Sequence, residues 1–117
     1  MNNDETFEVS SAPLDETSPA TEHAYRIVMR GELDLGTAPK LSQAIESLIS
    51  DGALIVVLDA ANVVFMDSSG LRVIINGGNL LAAVGGRLLI EGMSGAVQRV
   101  LEVSGLIEHY RSPDRPL

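Results

Sequence analysis

Along this chain the hydrophobic positions change period, and each change predicts an element. Tyr25-Arg26-Ile27-Val28-Met29-Arg30 alternates as a half-buried strand does, and Gly31 to Asp34 leaves it. Pro39 stands where a first helical turn accepts proline, with Thr37 as the expected cap. Leu41, Ile45, Leu48 and Ile49 then form one helical stripe that stops before Asp51-Gly52. Leu54-Ile55-Val56-Val57-Leu58 is a continuous apolar run of strand length, which suits a strand covered on both faces. Asp59 and Asn62 read as turn residues behind it. Helical spacing returns with Leu71, Ile74, Ile75, Gly78, Leu81 and Ala82, and Gly85-Gly86 ends that helix. Arg87-Leu88-Leu89-Ile90-Glu91 reads as a further strand. Ser94 opens a third helix that turns Val97, Val100 and Leu101 inward, and Gly105 fits the residue just past its end. Ile107 to Tyr110 is expected to be a last short strand, and Thr6 to Ser10 an edge strand with Phe7 and Val9 on one side. Strands alternating with helices predict an α/β domain with right-handed crossovers and a largely parallel sheet.

Composition narrows this to one domain. A chain of 117 residues suffices for a single core, and 45% hydrophobic residues support a folded globule. Two Phe, two Tyr and no Trp make that core aliphatic, and the absence of Cys excludes disulfides, thiolate metal sites and cysteine nucleophiles. The formal charge of −8 resides mostly in the first 22 residues, which carry six acids and no Lys or Arg. Ten acids against eight bases remain, or −2. With no basic stripe and no stacking aromatics, direct nucleic-acid binding is not expected. Residues 1–22 are expected to form an acidic, flexible segment, 23–111 the domain and 112–117 a short tail. The first twenty residues are too acidic for a secretory signal, and no apolar stretch reaches membrane-spanning length, so a cytoplasmic protein with no membrane association is expected.

The chemistry concentrates at residues 64 to 71, Val-Phe-Met-Asp-Ser-Ser-Gly-Leu, where a buried strand gives way to a helix. Read locally, Asp67 and Ser69 are helix caps. The same corner would also receive a phosphate, because free N–H groups and the positive end of the helix dipole favour an anion. Phe65-Met66-Asp67-Ser68-Ser69-Gly70-Leu71 resembles the phosphorylation signature of the STAS domain in bacterial anti-sigma factor antagonists. Gly31-Glu32-Leu33-Asp34 with Thr37-Ala38-Pro39 is similar to that family's first strand-to-helix corner. Ser94-Gly95-Ala96-Val97-Gln98-Arg99-Val100-Leu101, ending in Ser104-Gly105-Leu106, is similar to its third helix and the following turn. The three stretches keep family order and spacing from about Tyr25 to Tyr110.

This resemblance implies a small mixed, mostly parallel sheet with helices packed against it and an antiparallel N-terminal strand at one side. It also implies a further C-terminal helix, which Pro113 and Pro116 oppose. Ser68 is then the implied phosphorylation site and Ser69 a cap. Asp34, Asp67, Ser69, Gly70 and Arg72 are the implied partner-binding residues. The implied partners are an anti-sigma factor with serine kinase activity and a phosphatase acting on phospho-Ser68, with no cofactor, no metal and no catalysis by this chain. The other reading within the family is a non-switching subunit that docks on and stabilises a transporter ATPase.

Two enzymatic readings find little support. Ser68 or Ser69 with His23 or His109 lacks the G-x-S-x-G elbow of a serine hydrolase. Gly77-Gly78 and Gly85-Gly86 match neither phosphate-binding glycine motif, and Gly77-Gly78 is better explained by close packing of a helix.

Overall fold

The computed structural model describes residues 7–14 and 23–112. Residues 1–6, 15–22 and 113–117 lie outside the described residues, and with them most of the expected tail and of the segment expected to be flexible; residues 7–13 of that segment, where an edge strand from Thr6 to Ser10 is expected, pair with the domain as a strand and bury Phe7. The elements are β1 (Phe7–Pro13), β2 (Ala24–Leu33), α1 (Ala38–Ser50), β3 (Ile55–Met66), α2 (Ser68–Ala83), β4 (Arg87–Glu91), α3 (Gly95–Ser104) and α4 (Ile107–Tyr110). They form a single small α/β domain with a four-stranded mixed sheet in the order β1-β2-β3-β4. β1 runs antiparallel to β2, while β2, β3 and β4 are parallel. Because strand order follows chain order, right-handed crossovers carry α1 and α2 onto the same face of the sheet.

That face holds the core. Phe7, Ile27, Met29, Val56, Leu58 and Ile90 meet Leu41 and Ile45 of α1, Ile74 and Leu81 of α2, and Val97 and Leu101 of α3 in one continuous cluster. The apolar run in β3 is buried at Val56, Val57 and Leu58, but helices cover only one side of it. On the other side, Arg26 of β2 reaches across β3 to Glu91 of β4 at 2.8 Å, above Val57. An ion pair there shelters an apolar strand without a second layer of helices.

Four expectations are corrected. Asp59 and Asn62 lie inside β3, which runs on to Met66. One residue of β2, Met29, faces two of β3, Ala60 and Ala61, and the Asp59 carboxylate accepts the Ala61 amide at 3.1 Å. The bulge therefore explains the polar residue that resembled a turn. Gly31 and Glu32 do not leave β2 but belong to it, with a second register shift between them and φ of 108° at Gly31. Ile107 to Tyr110 is a short helix, not a strand, and the strand-like bridge falls one residue later, between Arg111 and Ile90. The buried stripe of α2 is Gly70, Ile74, Gly77 and Leu81, so Ala82 faces out. Gly77 sits where a Cβ would come within 3.0 Å of Ile45, and Gly78 where one would come within 3.2 Å of the Tyr110 ring, which accounts for the pair by packing.

Candidate functional site

Leu33 and Met66 are register partners at the C-terminal ends of β2 and β3. The next residue on each strand is an aspartate, so Asp34 and Asp67 leave the sheet side by side at one edge. The Asp67 amide donates to the Leu33 carbonyl at 3.3 Å and ties the two corners together.

Each aspartate organises a turn. Asp34 accepts the amides of Gly36 and Thr37 on Oδ1, at 3.0 and 3.1 Å, while its carbonyl accepts the Ala38 amide at 2.8 Å. Thr37 is the N-cap residue of α1 by position, but its hydroxyl makes no capping bond to the helix. It turns back instead, donating to the Glu32 carbonyl at 2.7 Å and accepting the Asp34 amide at 2.9 Å. Thr37 is buried, so these bonds lock the corner from inside. At the second corner Asp67 is the cap, accepting the Ser69 amide on Oδ1 at 2.8 Å. The expectation that Ser69 caps α2 is thus corrected: Ser69 is the second helical residue and donates its amide to the cap.

Ser68 is the first residue of α2 and exposed. Its hydroxyl makes no hydrogen bond with any described residue, so nothing in the domain occupies it. Gly70 is buried against Leu33 and Met66, and a Cβ there would lie 2.7 Å from Leu33 Cγ. The absence of a side chain lets the first turn of α2 sit directly on the strand ends.

Ser69 and Arg72 line an open groove of about 280 Å³ with Leu35, Pro39, Ser42 and Val73. Ser42 and Val73 also line a second groove of about 380 Å³ further along α1 and α2, beside Glu46, Asn76 and Leu80. Sequence reading missed this α1–α2 groove. The available signal was apolar residues outside the core stripes: Leu35 is 77% exposed and Leu80 45%. Phe65, at the end of β3, is 47% exposed and adds an apolar surface next to Asp67. His23 and His109 are both exposed, and His23 belongs to the opposite end of the sheet, where its carbonyl accepts the Leu54 amide. Among the described residues no group of His, Cys, Asp and Glu is arranged to hold a metal ion, and no helix is long and apolar enough to cross a membrane.

A four-stranded mixed sheet whose two strand-to-helix corners present Asp34 and Asp67-Ser68-Ser69-Gly70 defines a regulatory domain of the STAS type. The family model described as "Mlab, STAS domain" matches residues 17–108. The anti-sigma-B factor antagonist of Staphylococcus aureus is 32% identical over 82 residues, covering 70% of this chain and 76% of that protein. The anti-sigma factor antagonist SpoIIAA in its unphosphorylated form superposes with a TM-score of 0.71 at 24% identity, covering 91% of this chain and 85% of that one. The Bacillus cell fate determinant SpoIIAA in the phosphorylated form gives 0.66 at 23%, covering 91% and 88%. The chain therefore belongs to the STAS-domain family of anti-sigma factor antagonists. Members of this family are regulatory binding proteins, not enzymes.

Proposed function

We propose that this protein is an anti-sigma factor antagonist that binds an anti-sigma factor with serine kinase activity while Ser68 is unmodified, and lets go when Ser68 is phosphorylated. The observation that carries this reading is the Ser68 hydroxyl, exposed and unbonded at the first position of α2. A residue needed only for structure would be the cap, and that task belongs to Asp67. In the proposed reaction the kinase supplies a nucleoside triphosphate. The bond between Ser68 Oγ and the γ-phosphorus forms as the bond to the leaving diphosphate breaks, and the hydroxyl proton passes to a base of the kinase. A phosphatase resets the switch by hydrolysis. The cycle belongs to the cytoplasm, where sigma factors act.

The physical effect of the phosphate is local. It adds about −1.5 to −2 charges near pH 7. Asp67 is adjacent and Asp34 stands at the same sheet edge. A unit charge about 6 Å from another costs on the order of 3 kcal/mol at an effective dielectric near 20, and less where water screens it. The helix terminus offsets about 0.3–1 kcal/mol of this. The fold therefore tolerates the modification, while a partner seated on the corner meets a new anion. In this reading Asp34 shapes the contact turn, Asp67 and Gly70 fix the helix start, and Ser69 and Arg72 belong to the groove the partner covers.

Affinity capture from the host, comparing wild type with Ser68→Glu, tests the reading. An ATP-dependent serine kinase retained by wild type and lost with Ser68→Glu is the expected result. Equal recovery of a transporter ATPase by both baits would make the protein a constitutive subunit and contradict it.

A further inference from the structure

Arg72 is the only charged residue among the sixteen of α2. It lies in the second turn, toward the end of the helix where the dipole disfavours a cation. It is exposed, makes no ion pair or hydrogen bond with any described residue, and is the one charged side chain lining its groove. Four residues before it stands Ser68. Residues four apart share a helix face. Helical side chains also lean toward the N-terminus, so the one at i+4 covers the surface above residue i. Along this face the Arg72 guanidinium is within reach of the Ser68 position, whose hydroxyl has no partner among the described residues.

We infer that Arg72 is the internal receptor for a phosphate on Ser68, so that its guanidinium faces the groove in one state and is held by the phosphate in the other. The inference rests on the reading of Ser68 as the modified residue, and it adds a second arm to the switch. Phosphorylation then places an anion on the corner and also withdraws the cation that lines the groove. Arginine suits this task because its planar fork binds phosphate oxygens in pairs, which an ammonium does not do. The pairing also counters the negative surroundings, since Asp67 of the same corner and Glu32 and Asp34 of the neighbouring one all oppose a second negative charge on the phosphate.

The second ionisation of the phosphate reads this directly. A cation held against the phosphate favours the dianion and lowers its pKa, whereas the three carboxylates raise it. The test is a phosphorus NMR titration of the full chain carrying phosphoserine at 68, as wild type, Arg72→Gln and Arg72→Lys. All three keep the same carboxylates and histidines, so differences between them isolate the residue at 72. Wild type is expected to titrate roughly 0.15–0.4 pH unit below Arg72→Gln at low salt, with Arg72→Lys between them. The difference should shrink at high salt. Equal midpoints for wild type and Arg72→Gln would overturn the inference. No partner is present in this measurement, so it stands apart from the proposed function. Partner binding indifferent to phosphate, with the titration difference intact, would refute the switch and leave the pairing. Phosphate-sensitive partner binding with equal midpoints would refute the pairing alone.

Discussion

Leu33 and Met66 stand side by side at the ends of adjacent parallel strands, and the first turn of α2 rests on both through Gly70. This relationship holds the Asp34 and Asp67 corners at one edge of the sheet and fixes the direction in which Ser68 faces solvent. The site is a by-product of strand register and one missing side chain.

Substituting Gly70 should therefore damage the corner itself. Gly70→Ala would place a Cβ 2.7–2.9 Å from Leu33 and Met66 side-chain atoms. A loss of about 1–3 kcal/mol is expected, with Gly70→Val losing more. Gly95→Ala is the control, because a Cβ there meets nothing within 4 Å, and it should change stability by less than about 0.5 kcal/mol. Thermal denaturation of the three variants checks the contrast. Misfolding of Gly70→Val would bear on packing and not on switching.

The two candidate caps of α2 separate by the same approach. Asp67→Ala removes the acceptor of the Ser69 amide and should cost about 1 kcal/mol. Ser69→Ala removes a hydroxyl that caps nothing and should stay within about 0.5 kcal/mol of wild type. Urea titrations of both variants suffice; a larger loss for Ser69→Ala would contradict the assignment of the cap.

Tyr110 gives a pH-dependent handle on α4. Burial of its phenol against α2 disfavours the phenolate and raises its pKa above the ordinary value of about 10. The folded value exceeds the unfolded one, so the stability it contributes is fully present below about pH 10 and is lost as pH rises through the folded value. In a Tyr25→Phe variant, Tyr110 is the only tyrosine, and ultraviolet titration should give a midpoint above that of a free phenol. A midpoint at the free value would show that the ring is not held against Gly78.

Periodicity and punctuation made much of the fold legible. Arg87 to Glu91 is a strand with the bounds that the sequence suggests, and α3 opens on Ser94, whose hydroxyl accepts the Val97 amide, and closes on Gly105 with φ of 78°. What stayed hidden depends on tertiary partners. The bulge at Ala60-Ala61 makes Asp59 a strand residue, although its side chain bonds the backbone two residues on, as a turn aspartate does. Hydrophobic counting passes over Gly70 and Gly77, the two glycines of the buried stripe, so the inward face of α2 is offset from the apolar pattern. Four residues such as Ile107 to Tyr110 are too few for their apolar character to distinguish a strand from a helical turn. At the site, the motif pointed to Ser68 and both aspartates. The groove beside Arg72 was not legible, because it arises only where α1 lies against α2.

In the proposed cycle the switch is Ser68. Ser68→Ala is expected to hold its partner regardless of kinase activity, and Ser68→Glu to bind more weakly, as a carboxylate imitates a phosphate imperfectly. Pull-down with each variant in the presence and absence of ATP reads both outcomes.

The most direct measurement is the affinity of the purified anti-sigma factor for the full chain with and without phosphate on Ser68, at one salt concentration. The account predicts at least about tenfold weaker binding after phosphorylation, equivalent to roughly 1.4 kcal/mol or more. Equal affinity for the two forms would contradict it and leave Ser68 as no more than the first residue of a helix.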